Sequence, residues 1–181
     1  SFRLGLLAGL ALGLAVLLAG AGLLPLTAVL VGFALAHTCN FLVNGQLWVC
    51  LRYCPFYAQD PARLGAGLAA LLDTLAAQPW LEEAVLIGST AHRPHAPNAR
   101  ADFDLRLVFP PGPGGWWRTN LLLLRLRLRA LLQRLPLDLY AYDHPAALRR
   151  FTQDEPMGIV LDRRGRLCRG FANRELVWLR R

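Results

Sequence analysis

Asp102-Phe103-Asp104 sets two carboxylates two positions apart in a run rich in strand formers. On a strand, alternate side chains share a face. The two groups would then stand about 6–7 Å apart, at two residues of rise. Like charges so placed repel unless a cation binds, and divalent ions shared with a phosphate answer that repulsion. Upstream, the apolar Leu86-Ile87 ends in Gly88-Ser89, and twelve residues separate Ser89 from Asp102. A Gly-Ser turn lets backbone N–H groups and a hydroxyl approach phosphates closely. A third carboxylate, Asp138, stands in Pro136-Leu137-Asp138-Leu139-Tyr140. Phosphoryl-type chemistry needs both parts, a phosphate cradle and metal-holding carboxylates.

The surrounding pattern predicts the elements that must carry these residues. Leu64, Leu68, Leu71, Leu72 and Leu75 share one side of a helix over 62–78, closed by Pro79. Residues 83–87 read as a buried strand and 90–101 as a polar loop. The second strand covers 102–109, and the Pro-Gly run 110–115 is a break. Leu124 to Arg129 alternates like a strand. Leu121, Leu124, Leu128, Leu131 and Leu135 nevertheless keep helical spacing over a stretch too long for a strand, so 116–135 is read as a helix. Its Arg125, Arg127, Arg129 and Arg134 are expected on a solvated or lipid-facing surface. The third strand is 137–142, with a short helix around 145–152. Gly158–Leu161, the turn Asp162-Arg163-Arg164-Gly165 and Arg166–Cys168 read as a terminal hairpin. The tail 171–181 is expected to fold back as a helix or lie on a membrane.

The N-terminal segment is of another kind. Residues 4–36 contain no charged side chain. That run exceeds the ~20 residues one spanning helix needs, and Gly20-Ala21-Gly22 with Pro25 interrupts it. Two helices, about 2–19 and 23–43, are expected as a transmembrane hairpin. A secretory signal peptide is the rival reading of the first. Against it, a second apolar helix follows at once without a clear cleavage site. Arg3 before and Arg52 after the hairpin put both ends in the cytoplasm. The layout is thus a hairpin over 1–44, an interfacial, aromatic segment and linker over 45–61, and a cytoplasmic domain over 62–181. His37, Asn40 and Asn44 share a face near the end of the second helix, at headgroup level or against a partner.

The net charge is +8, every basic residue is Arg, and 18 of the 20 lie after residue 60. Anionic lipid beside an anchored domain would account for this excess. Nucleic acid is the rival acceptor and ranks lower. Cys39, Cys50, Cys54 and Cys168 fit no zinc spacing and read as small apolar residues. His92, His95 and His144 read as loop histidines without assigned roles. Arg106 continues the Asp102–Asp104 face and is expected in an ion pair.

Leu86-Ile87-Gly88-Ser89, the Asp102-Phe103-Asp104 strand and Asp138 occur in an order that resembles the DNA polymerase β-type nucleotidyltransferase superfamily, over roughly residues 62–170. Ala91-His92-Arg93-Pro94 and Ala101 depart from that family's usual Gly and Ser. The resemblance implies an α+β fold, a small mixed sheet with flanking helices in a palm-like domain. It also implies a role for each site residue. Asp102 and Asp104 would hold two Mg²⁺ ions, Asp138 would complete the second site and act as base, and Gly88 and Ser89 would cradle the phosphates of a nucleoside triphosphate. Two classes stay open. One is an enzyme moving a nucleoside monophosphate to a hydroxyl acceptor. The other is a non-catalytic nucleotide-sensing or scaffolding subunit that works with another membrane protein or a second copy. A nucleic-acid-modifying or antitoxin-like module is a weaker third.

Overall fold

The computed structural model describes residues 2–44, 46–94, 97–151 and 155–179. The chain divides into two compact units, Ser1–Asn44 and Gly45–Arg181.

The first unit is two helices, α1 (Phe2–Gly20) and α2 (Pro25–Val43), with Gly22 at φ +94° in the turn between them. Pro25 opens α2, where its missing N–H costs nothing. Small residues face inward: Ala15, Ala28 and Ala36 are buried. A Cβ on Gly32 would lie 2.8 Å from the Ala11 carbonyl oxygen and from the Ala15 nitrogen, so only glycine lets the backbones approach this closely. The large side chains, among them Leu17, Leu24, Leu26 and Phe33, point outward. α2 is long and apolar enough to cross a membrane, with mean hydropathy 1.8; the described apolar stretch of α1, Leu7–Gly20, is shorter. Of the expected polar face at the end of α2, Asn44 Nδ2 donates to the Asn40 carbonyl at 2.7 Å and to its Oδ1 at 2.8 Å.

The second unit is an α+β fold around a five-stranded mixed sheet. In chain order come α3 (Gln46–Leu51), α4 (Pro61–Ala76), β1 (Glu83–Ile87), β2 (Phe103–Val108), α5 (Pro113–Gln133), β3 (Leu137–Tyr142), β4 (Met157–Asp162), α6 (Arg166–Gly170) and β5 (Leu176–Trp178). The strand order is β3-β2-β1-β4-β5. β1 runs antiparallel to β2 and β4, while β3 is parallel to β2 and β5 to β4. Period-two alternation sorts the strands into two faces. Leu86, Leu105, Leu107, Leu137 and Leu139 pack against the leucines of α4 and α5. Val85, Ile87, Val108 and Ile159 face Leu148, Leu167 and Phe171. Asp60 caps α4 by accepting from Ala62 N at 3.0 Å.

α5 is helical, as its leucine spacing predicts, and Arg134 ends it at φ 57°. One of its arginines departs from the expected solvated surface. Arg127 is buried and its Nη2 donates to the Leu139 carbonyl at 2.6 Å, because the helix lies across the β3 edge. The segment 45–61 packs within the second unit. Trp48 Nε1 donates to the Leu131 carbonyl at 2.9 Å and its ring stacks on Tyr57.

Two expectations at the C-terminal end are corrected. Residues 158–168 are not a hairpin, since β4 pairs with β1 and β5, and Arg166–Gly170 is the helix α6. The turn signal is real, but Asp162 Oδ2 accepts from Cys168 N at 3.0 Å and winds the chain into a helix. The tail adds β5 to the sheet edge rather than forming a helix. Its last two arginines, together with His95 and Thr152 at the end of the expected short helix, lie outside the described residues.

Candidate functional site

β1 ends at Gly88, whose φ of 92° and ψ of −173° lie in a region that only glycine adopts freely. The chain then makes a 3₁₀ turn over Ser89–Ala91. A Cβ on Gly88 would stand 3.9 Å from Asp104 Oδ2, so the bend lies directly beside that carboxylate. Thr90 Oγ1 donates to the Asp102 carbonyl at 2.9 Å and ties the turn to the residue that precedes β2. Ser89 is exposed and lines a cleft of about 510 Å³ with Thr90, His92, Arg93, Pro97 and Asn98. His92 also stands 3.6 Å from Glu175.

Register brings the carboxylates together. Asp104 is the Cα partner of Ile87 on one side and of Asp138 on the other. Residues opposed on parallel strands present their side chains to one face, here the face opposite α4 and α5. Asp102 sits one residue before β2, which begins at Phe103 rather than at 102.

Two guanidinium groups answer this charge. Arg106 is 7% exposed. Its Nη2 lies 2.9 Å from Asp138 Oδ2 and 3.8 Å from Asp104 Oδ1, and its Nη1 donates to the Asp138 carbonyl at 2.9 Å. The head lies 4.9 Å from the Tyr140 ring and 5.3 Å from the Phe151 ring. This is the ion pair expected of Arg106. Arg52 Nη1 meets Asp102 Oδ1 at 2.5 Å. Its Nη2 donates to the Tyr53 hydroxyl at 2.6 Å. Burial is the largest single effect on Arg52 and works against its charge, but Asp102 and the Tyr53 hydroxyl together outweigh it and the guanidinium pKa rises.

The compensation is incomplete at Asp104. Burial first, then the Asp102 and Asp138 carboxylates, push its pKa from the ordinary 3.8 to about 6, although Arg106 and Arg52 pull it down. Carboxylate oxygens are hard donors of the kind that a divalent cation such as Mg²⁺ takes. Among the described residues, however, no group of three or more His, Cys, Asp or Glu side chains is set to hold a metal. Arg106 lies between Asp104 and Asp138, and Arg52 holds Asp102.

Of the five residues expected in the site, Asp104 and Asp138 pair in register beside the Gly88 bend, Ser89 follows that bend and Asp102 precedes β2; Arg52 and Thr90 were not among those expected. Nothing in the order of residues links Arg52 to an aspartate fifty positions on. Thr90 beside a Gly-Ser turn was the one available signal. No family model, curated protein or solved structure matches the chain.

Proposed function

We propose that the second unit is a nucleotidyltransferase-type domain that binds a nucleoside triphosphate with a divalent metal and moves its nucleoside monophosphate to a hydroxyl acceptor. The observation that carries this reading is the register match of Asp104 with Asp138 beside the Gly88 bend. A phosphate cradle and paired carboxylates on adjacent strands are what such chemistry requires.

In this reading Asp102 and Asp104 hold the metal, and Asp138 stands beside Asp104 on the neighbouring strand. The bound metal would neutralise the triphosphate and lower the pKa of the acceptor hydroxyl. Ser89 and the turn N–H groups bind phosphate oxygens, with His92 and Arg93 in the same cleft as further donors. With a cation on Asp102, Arg52 would be free to pair with phosphate. Arg106, bonded to its carboxylate and its carbonyl, holds Asp138 in place.

Calorimetric titration of ATP, CTP, GTP and UTP with Mg²⁺ tests the reading. One nucleotide should bind and turn over, and Asp102→Asn/Asp104→Asn should abolish both. If no nucleotide binds, the reading fails.

A non-catalytic nucleotide-sensing or scaffolding subunit is the second reading. It is favoured by the arginine held against every carboxylate of the trio. Nucleotide binding without turnover selects it.

The first unit serves as the membrane anchor, crossing as a hairpin with both ends cytoplasmic. Inward alanines and glycine with outward leucines are the pattern of helices that pack in lipid. On α5, Trp117, Leu121, Leu124, Leu128 and Leu132 are exposed and Arg118 and Arg125 flank them; the helix has no acidic residue. Such a face suits an anionic lipid surface. Hydrogen exchange over 117–132 should slow in nanodiscs containing phosphatidylglycerol relative to phosphatidylcholine alone. Equal exchange rates would remove this contact.

A further inference from the structure

Most arginines of the second unit that reach inward meet an acceptor. Arg52 has Asp102, Arg106 has Asp138, and Arg166 pairs with Glu82 and Glu83. Arg163 donates to the carbonyls of Leu81, Ala76 and Gln78. Arg174 differs. Its Nε and Nη2 are both buried without a hydrogen-bond partner among the described residues, whereas Arg52 and Arg106 leave only Nε so. A charged donor withdrawn from water without an acceptor is costly, and such groups are rare in folded proteins.

The surroundings of Arg174 indicate what is missing. It lines a cleft of about 290 Å³ with Arg149, Arg169, Asn173, Phe151 and Phe171. Arg149 comes from the 3₁₀ turn Pro145–Arg150, Arg169 from α6, and Arg174 from the loop before β5. Three segments therefore bring three arginines to the lining of one hollow, although Arg169 Nη2 also donates to the Arg164 carbonyl at 2.7 Å. No carboxylate lines it among the described residues. Glu175, next to Arg174 in sequence, stands 3.6 Å from His92.

We propose that this cleft binds a phosphomonoester dianion. Guanidinium forks match the oxygen spacing of phosphate bidentately. Three positive charges without an acid favour a dianion over a single carboxylate. Whole-ligand pockets start near ~300 Å³, so this hollow takes a phosphate group with a short stem rather than a complete nucleotide. Phe151 and Phe171 supply apolar walls for that stem. The Phe151 ring also lies against Arg106, so the two sites share a wall while using different polar groups. The proposal goes beyond the nucleotidyltransferase reading and stands without it.

The phosphate can belong to a soluble ester or to a lipid headgroup, and two arms separate them. In the first, the full chain in phosphatidylcholine nanodiscs is titrated calorimetrically with inorganic phosphate, pyrophosphate and glycerol 3-phosphate. In the second, phosphatidic acid is added to the discs and retained lipid is counted by native mass spectrometry. Binding in the first arm identifies a soluble ester; binding in the second alone identifies a lipid headgroup. Arg174→Gln should weaken whichever binding is found at least tenfold. Ser89→Ala and Asp102→Asn/Asp104→Asn should leave it unchanged, which separates this cleft from the one beside Ser89. Should Arg174→Gln fail to fold, Arg149→Gln/Arg169→Gln at the exposed rim takes its place with the same expected loss. Absence of binding in both arms, or wild-type affinity in a folded arginine variant, overturns the proposal.

Discussion

Arg52 meets Asp102 at 2.5 Å, so a residue eight positions past Asn44 holds the first carboxylate of the trio. In the proposed function the guanidinium and a divalent cation compete for the same oxygen. Arg52→Gln should therefore raise Mn²⁺ affinity, by roughly tenfold if about 1.4 kcal/mol of competition is removed. The pair is only partly shielded from solvent, so its loss should change stability by no more than about 1 kcal/mol. Mn²⁺ titration followed by electron paramagnetic resonance reads the affinity; a weaker metal in the variant would refute competition.

Asp104 gives the metal-free domain a pH signature. Its folded pKa of about 6 lies above the ordinary 3.8, so the folded state binds the proton more tightly than the unfolded state does. Stability from this group is greatest below pH 3.8 and declines as the pH rises through about 6. Asp104→Asn should then melt higher than wild type at pH 7.5 and show less advantage at pH 4. Discounted for partial exposure, the gain is about 1–2 kcal/mol. Thermal melts of both proteins in chelator across this range check the sign.

Arg106 is enclosed by Tyr140 and Phe151 and bonded to Asp138. Removing one partner of a buried pair strands the other. Arg106→Met should cost about 3–5 kcal/mol. Adding Asp138→Asn to that variant should recover part of the loss, because the stranded charge goes with it. Urea denaturation of the two single variants and the double variant measures the coupling.

Gly88 holds a conformation that costs a side-chain-bearing residue about 1–3 kcal/mol. Gly88→Ala should lower stability by that amount. The new methyl would meet Asp104 Oδ2 at 3.9 Å, an ordinary contact, so backbone strain rather than crowding is the cause. Calorimetric melting of the variant at pH 7.5 provides the number, and a wild-type midpoint would mean the bend tolerates a side chain.

Sequence alone reached those parts of the fold whose signals are local. β1 was readable because the apolar run Ala84-Val85-Leu86-Ile87 leads straight into Gly88. α5 was readable because the leucines from Leu121 to Leu135 keep helical spacing over about four turns, despite the alternating arginines. The stretch after β4 was misread because a turn of Asp, two Arg and Gly serves a hairpin and a helix start equally well. The Asp162 contact to Cys168 N decides between them, and it exists only once the helix has formed. The site divides the same way. Asp102 and Asp104 announce themselves by spacing, whereas their arginine partners come from elsewhere in the fold. Arg52 reaches Asp102 only after α3 has docked through Trp48 on the end of α5.

The parallel pairing of β2 with β3 fixes an order of assembly. β1 and β2 are antiparallel neighbours along the chain, so the glycine bend and the first two acids are joined by one local pairing. Asp138 reaches Asp104 from 34 residues away, across the α5 crossover. Contacts of that separation form late. A chain emerging from the ribosome therefore presents Asp102, Asp104 and Arg106 before Asp138, the acid that Arg106 holds in the finished fold, has been made.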